Sequence, residues 1–309
     1  EPGGVRALLV VGSNPVVSSP DADRVEAGLK RLDCLVVSDF FLSETASLAD
    51  VVFPSAQWAE EEGTMTNLEG RVIRRRRVFA PPTGVRTDLE ILSHLAAALG
   101  RSDRFTHTDP AEVFDELRCA SAGGPADYSG ITRERIDRAQ GVFWPCPAED
   151  HPGTPRLFAD GFPTPTGRAR FHPVHYEPPA ESPDAGFPLF LTTGRLFAHY
   201  QTRTQTGRVD RLREAAPEPV AELHPATAQR LGVSQGDSVG VATRRGRAEF
   251  RIRVSGGIRE DTVFLPFHWG GSQSANQLTN PALDPISRMP DFKVCAARVE
   301  RLSIDGEGS

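Results

Sequence analysis

Residues 5–11, VRALLVV, form an apolar, β-branched run that Gly12-Ser13-Asn14-Pro15 cuts short, and Leu35-Val36-Val37 forms a second such run. Between them, residues 21–32 place Val25, Leu29 and Leu32 on one helical face. Ser19-Pro20-Asp21 offers that helix an N-cap with Pro at its first position. Strand, glycine turn, helix, strand is a βαβ unit. Parallel neighbours need a crossover, so this order commits the N-terminal part to a parallel sheet. Asp50-Val51-Val52-Phe53-Pro54 reads as a third strand.

From residue 187 the pattern changes. Phe187-Pro188-Leu189-Phe190-Leu191 and residues 239–243, 248–254 and 261–265 are short β-type runs. Turns at Gly236-Asp237, Arg245-Gly246 and Ser255-Gly256-Gly257 separate them, and His224-Pro225-Ala226 opens a short helix ending at Leu231-Gly232. Many short strands with glycine turns indicate a closed β-barrel. Residues 88–99 form an amphipathic helix stopped by Gly100. Residues 101–186 read as irregular connecting structure with short helices at 110–119 and 132–140. The expected domains are therefore 1–100, 101–186 and 187–304, with a frayed tail at 305–309.

Composition narrows the function. A formal charge of −6 argues against a general nucleic-acid binder. No apolar run approaches the roughly 20 residues that span a bilayer. Four cysteines lie far apart with no Cys-x-x-Cys pair, which excludes a self-contained zinc or iron–sulfur knuckle and favours a reduced, cytoplasmic setting. The chain begins at Glu1 rather than Met, so further sequence is expected upstream.

The densest chemistry lies at 191–208, LTTGRLFAHYQTRTQTGR. An isolated Thr-Gly-Arg is a polar surface loop. Here Thr193, Gly194, Arg195, His199 and Thr202 gather in one stretch with Arg203 and Thr204, as expected of a site for an acceptor-rich ligand. Gly12-Ser13-Asn14-Pro15 sits at the carboxyl end of a strand, where parallel sheets present ligands, and Asp39 ends the next strand. A plain strand–turn–helix with an exposed Asp fits equally well. The Gly-x-Gly-x-x-Gly fingerprint of a standard NAD site is missing. A guanine base offers paired donors to a carboxylate, so Asp39 and Asp88 are both candidates, though Asp88 alone is explained by its place at a helix start. His268 has the default reading of a hydrogen-bonded core histidine, and Lys293 that of a solvated charge. Arg74 to Arg77 reads as a salt-bridged strand rather than a nucleic-acid patch. No Gly-x-Ser-x-Gly, His-Glu-x-x-His or P-loop lysine is present.

Together these motifs resemble the bis-molybdopterin guanine dinucleotide oxidoreductases, the dimethyl sulfoxide reductase family. The resemblance rests on Gly12-Ser13-Asn14-Pro15, on residues 38–46 and 49–56, on 61–71 (EEGTMTNLEGR), and in the C-terminal part on Glu222-Leu223-His224-Pro225, Gly236-Asp237-Ser238-Val239 and Asp284-Pro285-Ile286-Ser287. Within the family, residues 193–208 and 266–293 look most similar to assimilatory nitrate reductase catalytic subunits, and formate dehydrogenases share many of the motifs. The fold this implies is α/β plus all-β: a Rossmann-like parallel domain, then a six- or seven-stranded, double-psi-like barrel. Asn14, Ser38, Asp39 and Asp88 would hold the guanosine. Thr193, Gly194, Arg195, His199 and Thr202 would line a pterin and its pyrophosphate, and Asn276 and Lys293 would close over a pterin. His268 would lie near the mouth of a substrate funnel.

The resemblance further implies a bis-molybdopterin guanine dinucleotide cofactor carrying Mo, and oxygen-atom transfer with a small oxyanion such as nitrate. It implies a 4Fe-4S cluster and metal-ligating residues in an N-terminal half not contained here, so no metal ligand is assigned in this chain. An electron-donor protein or domain would be a partner, and the chain alone would be inactive. A stand-alone, non-catalytic molybdopterin-binding module is the rival reading.

Overall fold

The apolar runs become strands, and the first of them ends in a turn at Gly12. The computed structural model describes residues 4–302; the tail expected at 305–309 lies outside the described residues. In chain order the elements are β1 (Ala7–Val11), α1 (Pro15–Ser18), α2 (Ala22–Leu29), β2 (Cys34–Asp39), β3 (Val51–Pro54), β4 (Gly63–Thr66) and β5 (Arg71–Arg75). Then follow α3 (Asp88–Ala98), α4 (Pro110–Ser121), α5 (Arg133–Ala139), β6 (Val142–Phe143), β7 (Leu189–Gly194), α6 (Asp210–Ala215), β8 (Val220–Leu223) and α7 (Pro225–Leu231). The chain ends with β9 (Ser238–Ala242), β10 (Arg247–Val254), β11 (Thr262–Pro266) and β12 (Cys295–Arg301). They fall into two compact units, one formed by residues 1–52 and 176–309, the other by 53–175.

In the first unit, β1, β2 and β3 form a sheet in that order, and β1 and β2 are parallel, with Ala7 opposite Cys34 and Val11 opposite Ser38. Val10, Val16, Leu29, Leu35, Val37 and Ala46 are its buried core. The helical entry differs from the sequence reading. Pro15, not Pro20, occupies a helix start, and Asp21 adopts φ +52°, so α2 begins only at Ala22. The break at Gly12 is real: it takes φ +57° and its N–H donates to Ser38 O at 2.9 Å.

The C-terminal strands close into a six-stranded barrel of order β10-β8-β11-β7-β12-β9. β7 pairs with β11 in parallel and with β12 antiparallel, so strands distant in sequence meet. Burial alternates along β7 and β10, as it must when one face of each strand fills the barrel. Leu191, Leu223, Val239, Val241, Ile252, Val263 and Leu265 fill the interior. His224 caps α7 by accepting Ala226 N–H on Nδ1 at 3.2 Å, and Gly232 ends it in the left-handed region.

The second unit holds α3 and, around Val72, Phe114, Ile131, Ile136, Val142 and Cys146, the β4-β5-β6 sheet with α4 and α5. The arginine run on β5 is salt-bridged: Arg74 pairs with Asp137 at 2.7 Å and Arg75 with Glu61 at 2.6 Å. No helix among the described residues is long and apolar enough to cross a membrane.

Candidate functional site

Asn14 follows the β1 turn and is only 6% exposed. Its amide donates to Glu44 Oε2 at 2.7 Å and to Thr202 Oγ1 at 3.3 Å. Its Oδ1 accepts Thr45 N–H at 3.1 Å and the Thr45 hydroxyl at 2.8 Å. One buried amide therefore ties the β1 turn, the segment after β2 and the loop after β7. Ser38 is buried at the end of β2. Asp39 turns its carboxylate into its own loop, accepting Phe40 N–H at 2.8 Å and the Ser43 hydroxyl at 3.0 Å.

β7 delivers Thr193 and Gly194 to the same end of the unit. A Cβ on Gly194 would stand 2.5 Å from Phe264 Cε2 on β11, so any larger residue must displace that ring. Lys293 donates to Thr193 O at 2.9 Å and lies 5.1 Å from the Phe292 ring centre and 5.6 Å from that of Phe267. Burial of its ammonium, and then the charge of Arg195, hold its pKa below the usual lysine range. Arg195 is exposed, its guanidinium 5.9 Å from the Phe267 ring. His199 is buried; its Nε2 must donate to Ala216 O at 2.8 Å, leaving Nδ1 to accept from the Thr206 hydroxyl at 3.1 Å. Gln201 and Arg203, flanking Thr202, take φ +46° and +63°.

His268 is 1% exposed. Its Nε2 accepts Leu196 N–H at 2.7 Å and its Nδ1 faces Gln201 O at 2.6 Å. A backbone N–H can only donate and a carbonyl can only accept, so the proton sits on Nδ1 and the ring is neutral. Burial lowers its pKa most; the bond to Gln201 raises it, and the neighbouring His199, Arg195 and Arg203 lower it further. Both nitrogens being engaged, His268 matches its default reading as a hydrogen-bonded core residue. Asn276, 2% exposed, is likewise committed, donating to Val17 O at 2.7 Å and accepting the Thr279 hydroxyl at 3.0 Å. Asp88 belongs to the second unit. It is the first residue of α3, behind a Thr87–Glu90 capping box.

Between these loops lies a polar cleft of about 310 Å³ whose wall includes Ser43, Ser47, Thr202, Arg203, Thr204 and Arg208, with Glu44 and His268 beside them. Arg203 lies 5.3 Å from the Trp269 ring, and its buried Nε finds no acceptor among the described residues. Arg208 stacks 4.3 Å from Phe41 and donates to Thr204 O at 2.6 Å. Two guanidiniums and several hydroxyls against one carboxylate suit a ligand rich in anionic acceptors, and the orphaned Arg203 donor fits one. Sequence reasoning did not single out Ser43, Ser47 or Arg208. The rule that parallel sheets bind ligands past the carboxyl ends of their strands points to 40–47. Among the described residues no group of three or more His, Cys, Asp or Glu side chains is placed to hold a metal ion.

Comparison with known proteins agrees with this chemistry. Residues 1–98 match the family described as Molybdopterin oxidoreductase, and residues 189–296 match the Molydopterin dinucleotide binding domain. The chain is 44% identical, over 96% of its length, to the assimilatory nitrate reductase catalytic subunit of Bacillus subtilis (strain 168), and covers 42% of that protein. It is 43% identical, over 96% of its length, to a formate dehydrogenase subunit alpha of Methanocaldococcus jannaschii, of which it covers 43%. The chain thus spans less than half the length of these curated relatives. Its fold matches that of acetylene hydratase from Pelobacter acetylenicus with a TM-score of 0.77 at 22% identity, covering 98% of this chain and 45% of the other. The cofactor that goes with both matched regions is molybdopterin guanine dinucleotide with molybdenum. The chain therefore carries two regions of the molybdopterin oxidoreductases, at residues 1–98 and 189–296.

Proposed function

We propose that this chain holds the guanine dinucleotide cofactor of a molybdenum enzyme that reduces nitrate to nitrite by oxygen-atom transfer. The observation that carries the reading is the cleft after β2 and β7, where the partnerless Arg203 Nε, Arg208 and the hydroxyls of Ser43, Ser47, Thr202 and Thr204 converge. The 44% identity to a nitrate reductase supports nitrate as substrate. The parallel β1–β2 pair, with α1 and α2 between its strands, supports a Rossmann-like reading of the N-terminal part.

When bound, the cofactor supplies two-electron redox chemistry at molybdenum. The residues of this chain supply position. Arg203 and Arg208 offset pyrophosphate charge, and the hydroxyls satisfy its remaining acceptors. Asn14, Ser38 and Asp39 are the proposed guanosine contacts of the first unit; Asp88, in the second, is proposed for the same role on the family resemblance alone. Thr193, Gly194, Arg195, His199 and Thr202 are the proposed pterin and pyrophosphate wall, with Lys293 and Asn276 behind it. Asn14 and Asn276 act here mainly as braces, since their amides are already bonded within the unit.

On this reading the iron–sulfur cluster, the metal ligands and the electron-donor contact lie outside the chain. The enzyme works in the cytoplasm, and the chain alone binds but does not turn over. Formate dehydrogenase is the second reading, favoured by the 43% identity to such a subunit. An assay of the protein that contains this chain separates them. Nitrate consumption with a reduced viologen dye, and no dye reduction with formate, is expected. The reverse pattern replaces nitrate by formate.

A further inference from the structure

The loop between β7 and the cleft carries two non-glycine residues in the left-handed region, Gln201 at φ +46° and Arg203 at φ +63°. Such residues persist only where their surroundings hold them. Three bonds do so. Arg203 N–H donates to Tyr200 O at 3.0 Å, Gly207 N–H donates to Arg203 O at 2.8 Å, and the Gln201 carbonyl is held at 2.6 Å by His268 Nδ1. His268 holds the other end of the same loop through Leu196 N–H, which donates to Nε2 at 2.7 Å. It comes from the segment after β11 and is the one side chain among these partners that can gain a proton near neutrality.

We infer that His268 is a positioning residue: in its neutral Nδ1–H form it clamps both ends of the 196–201 loop, and so sets the backbone that presents Thr202 and Arg203 to the cleft. Protonation on Nε2 turns the acceptor for Leu196 N–H into a second donor, which opens the clamp. The groups facing His268 are His199, its ring centre 5.7 Å away, and the guanidiniums of Arg195 and Arg203; Glu44 and Arg208 border the same cleft. The three guanidiniums oppose an added positive charge, Glu44 favours it, and desolvation opposes it most, so the clamp is shut at neutral pH and opens in acid. The clamp is a property of the chain alone. Its service to a ligand rests on the proposed cofactor cleft.

The test uses the whole chain and its His268→Gln and His268→Ala variants. A glutamine can accept from Leu196 N–H and donate to Gln201 O without titrating in this range. Hydrogen exchange of the Leu196 amide reads the clamp, and calorimetric titration with inorganic pyrophosphate reads the cleft, both from pH 7.5 down to 5. Strong Leu196 protection is expected at pH 7.5 in wild type and His268→Gln. In acid it should fall about tenfold or more in wild type only, and in His268→Ala it should be lost at every pH. Pyrophosphate gains protons of its own over this range, so the readout is relative: its affinity should fall further in acid in wild type than in His268→Gln, and should be weak at every pH in His268→Ala. Equal acid loss in wild type and His268→Gln, or full protection in His268→Ala, overturns the clamp. The expected amide profiles with no pyrophosphate binding by any variant overturn the cofactor cleft and leave the clamp standing.

Discussion

Removing the Asn14 side chain tests the joint at the centre of the first unit. Asn14→Ala deletes two bonds to Thr45 and two donations, to Glu44 and Thr202. The donations end on groups near the cleft, where water can replace them. The Thr45 bonds cannot be replaced so easily, because Thr45 is fully buried. No helix-cap term enters, since the Asn14 side chain makes no cap bond to α1. Two lost bonds at about 1 kcal/mol each, with one buried N–H left unpaired, give a loss of about 2–4 kcal/mol. For a unit of this size that lowers Tm by about 5–15 °C. Urea and thermal denaturation read the loss, and a cycle with Thr45→Val isolates its route. The double variant should cost about 1–2 kcal/mol less than the sum of the single ones. A loss below about 0.5 kcal/mol, or strict additivity, refutes the reasoning.

Three further outcomes follow from other places in the chain. A Cβ on Gly130 would overlap the Ala148 carbonyl, a backbone atom that cannot swing aside, so Gly130→Ala should destabilise the second unit by about 3 kcal/mol or more in urea melts. Glu181, nearly buried, pairs with Arg244 and, at 2.7 Å, with Arg245; Glu181→Gln should cost about 1–3 kcal/mol, in a loss that added salt does not reproduce in wild type. His268 has a folded pKa below its unfolded value of about 6.5, so the unfolded chain binds more protons between those two values. Stability should therefore fall as pH drops below about 6.5, and His268→Gln should remove that part of the slope in pH-dependent urea melts.

Local signals were legible in the sequence, and long-range pairing was not. The β1 and β2 runs, the His224-Pro225 helix start and its Gly232 stop appear where period and turn chemistry put them. α1 escaped because Gly12-Ser13-Asn14-Pro15 reads as a break, although Pro is at home in a helix's first turn. β12, CAARVER, has little β-branched character; its place is set by pairing with β7 and β9, which no local window contains. The cleft divides in the same way. Residue type pointed to Thr202 and its arginine neighbours, because donors cluster densely there. Ser43 and Ser47 join them where Asn14, which bonds Glu44 and Thr45, also reaches Thr202, 188 residues beyond itself. Asn276, which the resemblance alone placed over a pterin, spends its amide on Val17 O and the Thr279 hydroxyl, partners that no local pattern reveals.

The location of the cofactor is tested most directly by a hydrogen-exchange footprint of the protein containing this chain, cofactor-loaded against cofactor-stripped. Added protection is expected at 39–48, at 193–208 and around 268–270, with none in the cleft lined by Glu62, Arg74 and Arg118. Protection confined to that second cleft, or no change at 193–208, would contradict the assignment.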